Sequence, residues 1–417
     1  MPNRDSAFRR WAIVCLLSLG MIIAYVDRSN LSVALALPEF KSQFQLTDSQ
    51  RGALSSAFFW SYAFLQIPAG YVVDRFGVKW PYVVSFVLWS ITGAFTAFAG
   101  SIEQIIALRV FLGVGEAIVT PASMRWIRFN IPESQRGLAT GIYMAGTKFG
   151  PAIGLPAAAW LSRGYGWQNM FLILGLGCLV WLIPWIWMVR NDDRELEKEA
   201  AARSSAPVMP FGDVFKTPLI YGVILGTFCY NYFVFFSMSW LPAYLMEHRH
   251  TTDRQMGIIS AAGFGGMATV AILAGLIADR MIARGMDAVR VRKGFIIAGF
   301  ALASTELIGA LSDSTDVATF FAVVSLSGLG LATANYWALT QTLIPGAAAG
   351  RIAGVQNFAS NFSGIVAPLL TGWLKEATGG YAAPMAAVCF FLLLGICSYA
   401  FLVRQRYAPG LRMVVPV

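Results

Sequence analysis

The chain has 417 residues, of which 57% are hydrophobic and only 13% are charged. Soluble domains carry roughly 25% charged residues, and the mean hydropathy of +0.61 leaves too little polar surface for a water-soluble enzyme or a disordered chain. A formal net charge of +9 would suggest nucleic-acid binding in a soluble protein, but the positions of the basic residues give another explanation.

Apolar segments of about 20 residues, the length that crosses a bilayer, recur along the chain with short polar breaks. The first resembles a signal peptide because Arg9 and Arg10 precede it, but Asp27 and Arg28 interrupt its apolar run and further segments follow. We therefore interpret it as a membrane helix. The sequence predicts an all-α membrane protein with twelve transmembrane helices, at residues 11–37, 52–73, 80–99, 104–127, 137–161, 168–189, 218–241, 256–278, 294–311, 317–342, 352–374 and 382–403.

The basic residues between these spans predict the orientation. Most of them fall on one side if the N-terminus is cytoplasmic, as the positive-inside rule requires, so we expect both termini in the cytoplasm. Topology then explains the net charge, and no nucleic-acid partner is expected. The sequence predicts a multi-pass protein of a lipid bilayer, in a cytoplasmic (inner) membrane of bacterial type.

The longest polar stretch, residues 191–217, is predicted to be a cytoplasmic linker with some helical character. It separates two predicted six-helix bundles, residues 1–190 and 218–417. An internal repeat supports this division, because the string G-x-x-x-D-R ends both the second and the eighth span, about half a chain apart. The repeated residues are Gly70, Asp74 and Arg75 in the first half and Gly275, Asp279 and Arg280 in the second.

Ionisable residues inside membrane spans are costly and commonly mark a pathway or a site. At about 1.5 Å per residue, Asp27 and Arg109 reach similar depths toward the outer side with opposite charges, which predicts a buried ion pair. Glu116 lies two helical turns beyond Arg109, near the midplane, and Lys148 has a similar depth. Ion pairs that only hold helices together are the alternative. The full set is Asp27, Arg28, Arg109, Glu116, Lys148 and Glu306, of which Glu306 is expected to be structural or at the edge of the lumen.

Phenols and amides lie at comparable depth in several spans, and such groups bind hydroxyls. They equally form hydrogen bonds between helices, so both interpretations stay open. The candidates for substrate contact are Tyr62, Tyr230, Asn231, Asn335, Gln356, Asn357 and Asn361.

Metal and nucleotide sites are not expected. The five cysteines all lie in apolar runs without metal-ligand spacing, and His248 and His250 share one loop with no further ligand cluster. No G-x-x-x-x-G-K-[ST] or G-x-S-x-G string occurs, so neither ATP use nor a serine hydrolase is indicated. We therefore expect no enzyme and no cofactor.

Two strings resemble the major facilitator superfamily. Residues 109–117, R-x-x-x-G-x-x-x-A, resemble its span-four motif, which is associated with proton coupling. Residues 70–79, G-x-x-x-D-R-x-G-x-K, resemble its motif A, and we assign conformational roles to Gly70, Asp74, Arg75, Gly77 and Lys79 and to the repeat residues Asp279 and Arg280.

Narrower strings resemble the anion:cation symporter family, which includes bacterial hexuronate, galactonate and glucarate transporters. They are YVDRSNLSVA at 25–34, the segment 109–116, WLPAYL at 240–245, and QN with NFSGIVAP within 356–368. The resemblance covers essentially the whole chain.

This resemblance implies roles for the residues of the first half. Asp27 and Glu116 would be the protonatable carboxylates and Arg28 the ligand of a substrate carboxylate. Arg109 would couple them, and Tyr62 would line the pocket. Lys148 is an addition to the family pattern and is a candidate second contact for an acidic substrate.

The predicted function is import of an organic anion, a sugar acid such as a hexuronate or aldonate, by proton symport with alternating access in a monomer. H⁺ is the expected coupling ion. An exporter or exchanger of another organic anion or small compound is the alternative, because the string G-x-x-x-G-P-x-x-G at 146–154 resembles a span-five motif discussed for antiporters. We interpret that string as close helix packing through small residues. A sensor without turnover could share the fold.

Overall fold

A computed structural model describes residues 4–189, 215, 217–344 and 346–407. Nearly all of the predicted linker, residues 191–217, therefore lies outside the described residues. The chain divides into two compact units, Met1–Ser205 and Ala206–Val417. The described part of each unit is helical, without strands.

The first unit begins with long helices joined by short turns. Thr47 starts the third helix with a capping box, in which Thr47 and Gln50 each accept a hydrogen bond from the other's backbone N–H. Gly166 breaks the seventh helix, because its φ of 82° suits glycine and few other residues. The helices are α1 (Arg4–Ala36), α2 (Pro38–Phe44), α3 (Asp48–Phe76), α4 (Lys79–Phe95), α5 (Ile102–Glu116), α6 (Val119–Asn130), α7 (Glu133–Gly177) and α8 (Leu182–Met188).

The second unit has the same kind of construction. Its first and last long helices each continue into a π-helical turn, at Tyr244–His248 and Ser398–Leu402. The helices are α9 (Pro218–Ala243), α10 (Asp253–Ala283), α11 (Ala288–Ala303), α12 (Glu306–Leu311), α13 (Thr315–Leu343), α14 (Gly346–Thr378) and α15 (Ala382–Cys397).

Within the described ranges, nine helical stretches are long and apolar enough to cross a membrane. One of them, Gln135–Met188, has 54 residues and contains the break at Gly166. The predicted spans 52–73 and 352–374 lie in α3 and α14, which are not among the nine because serine, glutamine and asparagine side chains lower their hydropathy. The all-helical membrane architecture is thus confirmed, and the number of twelve spans stays a prediction.

Small residues bring α7 against α1. A Cβ atom on Gly146 would lie 2.8 Å from the carbonyl oxygen of Ser18, and one on Gly154 would lie 2.9 Å from the Cα atom of Val26. At Gly150 it would overlap Tyr25. The string at 146–154 therefore forms a close helix contact, as its small residues indicated.

Replacing Gly150 with alanine is expected to destabilise the protein by about 1–3 kcal/mol, the usual cost of overpacking a well-packed contact. Gly141 is the matched control, because it lies on the same helix and a Cβ atom added there would meet nothing within 4 Å. Gly141→Ala should be neutral or stabilising by up to about 1 kcal/mol. Thermal unfolding in detergent measures both, and equal effects of the two variants would contradict the close contact.

The same device positions α5. A Cβ on Gly113 would collide with Ser61 and with the carbonyl oxygen of Phe58 on α3, and a Cβ on Gly115 would lie 3.0 Å from the backbone nitrogen of Trp89 on α4. Ser61 Oγ also donates a hydrogen bond of 2.7 Å to a carbonyl of α5. The end of α5 is therefore held firmly between α3 and α4, which fixes the position of Glu116.

In the second unit, a buried arginine holds the short helix α12. Arg249 donates hydrogen bonds to the carbonyl oxygens of Ser312 and Gly309, at 2.7 and 2.9 Å, which satisfies carbonyls at the end of that helix. Glu306 begins α12 and is 5% exposed, and its Oε2 accepts a hydrogen bond from Ser325. These contacts agree with the structural role expected of Glu306.

Candidate functional site

The centre of the first unit is a buried ion pair. Arg28 on α1 donates a hydrogen bond of 2.6 Å from Nε to Glu116 Oε2 at the end of α5. The two side chains are 3% and 0% exposed. The sequence placed both residues in the membrane but did not predict that they pair with each other.

Three aromatic rings surround the guanidinium group of Arg28. Its central carbon lies 4.5 Å from the ring centroid of Tyr25, 4.7 Å from that of Phe58 and 4.4 Å from that of Tyr62. Such cation–π contacts stabilise a cation that has left water. Tyr62, predicted to line the pocket, thus contacts the predicted anion ligand directly.

Asp27 and Arg109, the other two charged residues of the predicted network, are in contact, but not through their two charged groups. Arg109 donates a hydrogen bond of 3.1 Å from Nη1 to the backbone carbonyl of Asp27 and one of 3.2 Å from Nη2 to Asn30 Oδ1. The expected ion pair between the side chains of Asp27 and Arg109 is not formed in this structure. Asp27 and Arg109 do come together, but through the main chain of α1.

Asp27 is buried, with 1% of the residue exposed. Its Oδ2 lies 3.9 Å from the sulfur of Cys178, and its Oδ1 forms no hydrogen bond within the described residues. A buried carboxylate oxygen without a hydrogen-bond donor is costly when ionised.

These contacts predict an order of coupling energies. Removing one partner of the pair Arg28–Glu116 leaves a buried charge uncompensated, at a cost of about 3–5 kcal/mol. A double-mutant cycle with Arg28→Met and Glu116→Gln should therefore give a coupling energy of about 1–3 kcal/mol. The cycle with Asp27→Asn and Arg109→Met should give a smaller coupling energy. Arg109 binds the backbone carbonyl oxygen of residue 27, and that oxygen is still present when the side chain is asparagine. A larger coupling in the second cycle would show that the two carboxylates have been assigned the wrong partners.

Lys148 lies on α7 between the contact positions Gly146 and Gly150 and is half-buried. These two glycines pack against α1, the helix that carries Arg28 of the ion pair. Its predicted role as a second substrate contact stays a prediction.

The amides of the second unit mostly bind their own helices. Asn231, Asn335 and Asn361 each donate from Nδ2 to the carbonyl oxygen four residues earlier, at 2.8–2.9 Å. Gln356 donates to Thr227 Oγ1 at 3.1 Å and Thr340 Oγ1 at 3.0 Å. These contacts favour the alternative of structural hydrogen bonds for the donors, while the Oδ1 of Asn335 and the Oε1 of Gln356 form no hydrogen bond in the described chain.

Tyr230 and Asn357 are the other two predicted substrate contacts in the second unit. The hydroxyl of Tyr230 lies 2.6 Å from Thr333 Oγ1, and its ring centroid lies 4.8 Å from that of Tyr336. Asn357 is half-buried, and its backbone carbonyl oxygen accepts a hydrogen bond from Asn361 Nδ2. Their contact with a substrate is untested.

The motif residues of the two units form ion pairs at the ends of α3 and α10. Asp74 pairs with Arg125 on α6, and Asp279 pairs with Arg292 on α11 at 2.9 Å. Gly77 ends α3 with a φ of 79°, which explains why glycine stands there. Both repeated aspartates therefore form ion pairs, with an arginine of α6 in the first unit and an arginine of α11 in the second. Of the remaining motif positions, Arg75 and Arg280 are exposed, and Gly70 and Lys79 are half-buried.

Three contacts of the site were missed from the sequence. The sequence does not single out Tyr25 or Phe58, although Tyr25 stands three residues before Arg28 and so shares its helix face. Asn30 was overlooked as a partner of Arg109. Within the described residues no group of three His, Cys, Asp or Glu side chains could hold a metal ion.

The chain matches the Major Facilitator Superfamily over residues 17–368 and belongs to that family. It is therefore a multi-pass membrane transporter and not an enzyme.

Curated relatives match along nearly the whole chain. The D-galactonate transporter of Escherichia coli O6:H1 is 29% identical, over 95% of this chain and 96% of its own. The hexuronate transporter of Bacillus subtilis is 27% identical, over 95% and 94%. Among solved structures, an inward-facing bacterial homolog of the human lysosomal transporter Spinster has a TM-score of 0.74 at 18% identity, covering 95% of this chain and 97% of that one, which indicates the same fold.

Proposed function

We propose that this protein is a secondary active transporter that imports a sugar acid, a hexuronate or aldonate, together with protons by alternating access. The observation that carries this proposal is the buried pair of Arg28 and Glu116 among aromatic rings. Transporters of D-galactonate and hexuronate among the relatives support a sugar acid as the substrate.

The geometry of Arg28 supports an anion site. Glu116 accepts from Nε, and the rings of Tyr25 and Tyr62 lie beside the rest of the guanidinium group. A guanidinium group binds a carboxylate through two parallel N–H···O bonds. We propose that the Nη side of Arg28 binds the substrate carboxylate and that Tyr62 packs on the sugar.

Proton coupling follows from the competition for Arg28. While Glu116 is ionised, it holds the guanidinium group. Protonation of Glu116 removes that counter-charge, so Arg28 becomes available to the substrate carboxylate. In this proposal a proton and the anion are bound together, and release of the proton restores the pair. In this proposal the transporter is a monomer in the inner membrane, with twelve spans and with both termini in the cytoplasm.

A thermal-shift screen of the purified protein tests the substrate class. A ligand that binds only the folded state raises the apparent stability, by about 2.7 kcal/mol at 100 times its Kd. Uronates and aldonates should raise the unfolding temperature more than aldarates or the corresponding neutral sugars. A shift with neutral sugars alone would contradict the anion site, and a shift with an unrelated organic anion alone would favour the exporter or exchanger alternative.

A further inference from the structure

Five hydroxyl groups of buried or half-buried residues continue from the ion pair through the first unit. We call them the hydroxyl row. Their side chains come from α3, α4, α6 and α7, and each residue is buried or half-buried. The members of the hydroxyl row are Tyr62, Tyr82, Thr120, Ser123 and Tyr143.

The row begins at Glu116 because the helix continues past it. Ala117 and Ile118 keep helical dihedral angles between α5 and α6. Glu116, Thr120 and Ser123 therefore stand at positions i, i+4 and i+7 of one helical path, on the same face. The carboxylate and the two hydroxyls form a line that leads away from the pair with Arg28.

Tyrosines from three other helices lie beside this line. The Tyr62 hydroxyl, whose ring stacks on Arg28, lies 3.4 Å from Thr120 Oγ1. The hydroxyl of Tyr143 on α7 donates to the same oxygen at 3.4 Å. Tyr82 and Tyr143 both face Ser123. The hydroxyls are thus neighbours of one another rather than isolated groups.

Three buried atoms of this line have no hydrogen-bond partner among the described residues. Glu116 Oε1, Ser123 Oγ and the Tyr82 hydroxyl form no hydrogen bond within the described residues, and all three residues are 0% exposed. Buried polar groups are nearly always hydrogen-bonded, commonly to ordered water. Three such atoms along one path are therefore suited to bind ordered water.

The row leads toward one end of the unit. A Cβ atom on Gly20 would lie 3.1 Å from the Tyr82 hydroxyl oxygen, which places that hydroxyl beside α1 at Gly20. Gly20 precedes Asp27 by two helical turns, about 10 Å along α1. With the N-terminus cytoplasmic, as in the proposed function, the row runs from Glu116 toward the cytoplasm.

We propose that the hydroxyl row, with water molecules bound between its members, carries the proton from Glu116 to the cytoplasmic side. The O–H bond of the protonated Glu116 breaks and a new O–H bond forms on the neighbouring water. Each hydroxyl then accepts a proton on its oxygen and passes on its own. Glu116 becomes a carboxylate and pairs again with Arg28. No oxidant or other reactant takes part, and one proton leaves for each one bound.

Conservative variants in proteoliposomes test this inference, which rests on the proposed function. Ser123→Ala and Tyr82→Phe remove only hydroxyls. We expect them to slow pH-gradient-driven uptake of a uronate or aldonate by about tenfold, below the range of about 10²- to 10⁴-fold for general acid–base transfer because water replaces part of the path. Exchange of the same substrate at equal pH needs no proton release and should stay within about twofold of the wild type. Ser162→Ala is the control, since its buried hydroxyl binds its own helix at 3.1 Å.

A second pair of variants separates proton transfer from packing. Thr120→Ser keeps the hydroxyl and should retain driven uptake, whereas Thr120→Val keeps the shape and should lose it. Equal uptake by both, or an equal loss of uptake and exchange in every variant, would overturn the inference. If a pH gradient does not change uptake by the wild type, the proposed proton symport is wrong. That outcome is distinguished from failure of the hydroxyl row because it needs no variant.

Discussion

Glu116→Gln is expected to abolish accumulation driven by a pH gradient while leaving exchange of substrate across the membrane intact. Glutamine has the shape of the protonated side chain and cannot lose a proton. It also removes the charge that holds Arg28 Nε at 2.6 Å, so the anion site should stay available. The protein would then cycle with substrate bound but would have no proton to carry.

The measurement compares two assays on one preparation in proteoliposomes. Driven uptake is recorded with an acidic exterior, and exchange is recorded with equal pH and labelled substrate on one side. Glu103→Gln is the control, because Glu103 lies on the first turn of the same helix and is exposed. Full accumulation by Glu116→Gln under the gradient would show that this carboxylate carries no coupled proton.

Arg28→Lys is expected to weaken substrate binding strongly although it keeps the positive charge. An ammonium group cannot offer two parallel donors to a carboxylate while a third holds Glu116. It also loses the flat stacking on Tyr25, Phe58 and Tyr62, whose centroids lie 4.4–4.7 Å from the guanidinium carbon. A charged hydrogen bond contributes about 1.5–3 kcal/mol, so the dissociation constant should rise by about 10- to 100-fold.

Ligand-induced thermal stabilisation and direct binding to purified protein both report this loss. Arg163→Lys serves as the control, since Arg163 is exposed on α7 of the same unit. An unchanged substrate affinity in Arg28→Lys would remove Arg28 from the binding site and leave the carboxylate ligand to be found elsewhere.

The sequence was sufficient to place the charges of the site but not to pair them. Rise per residue gave similar depths for Asp27 and Arg109, and the two residues are in contact. Depth says nothing about which face of α1 meets α5, however. Asp27 and Arg28 are successive residues and point about 100° apart, so only the packing of α1 on its neighbours decides that Arg28 reaches Glu116 and that Arg109 reaches a backbone carbonyl.

The fold was more accessible because apolar length and glycine spacing are local signals. The glycines at 146, 150 and 154 recur at one-turn intervals and so predict one close-packed face, which the structure places against α1. The break at Gly166 also leaves a trace in the polar residues that separate the fifth and sixth predicted spans.

The amides of the second unit illustrate the opposite case. Their spacing shows that Asn357 and Asn361 share a face, but an asparagine amide in a helix also has a backbone carbonyl four residues earlier within reach. Asn361 uses that carbonyl at 2.8 Å. Sequence alone gave no means of choosing between this contact and a ligand. Tyr82 and Ser123 gave no signal at all, because single hydroxyls are common in membrane helices.

Uptake of a radiolabelled uronate or aldonate into proteoliposomes is the most direct test of proton-coupled sugar-acid import. With an acidic exterior, the wild type is predicted to accumulate the compound above its external concentration, and a protonophore should abolish that accumulation. Accumulation that persists without a proton gradient, or failure to accumulate any uronate or aldonate, would contradict the account.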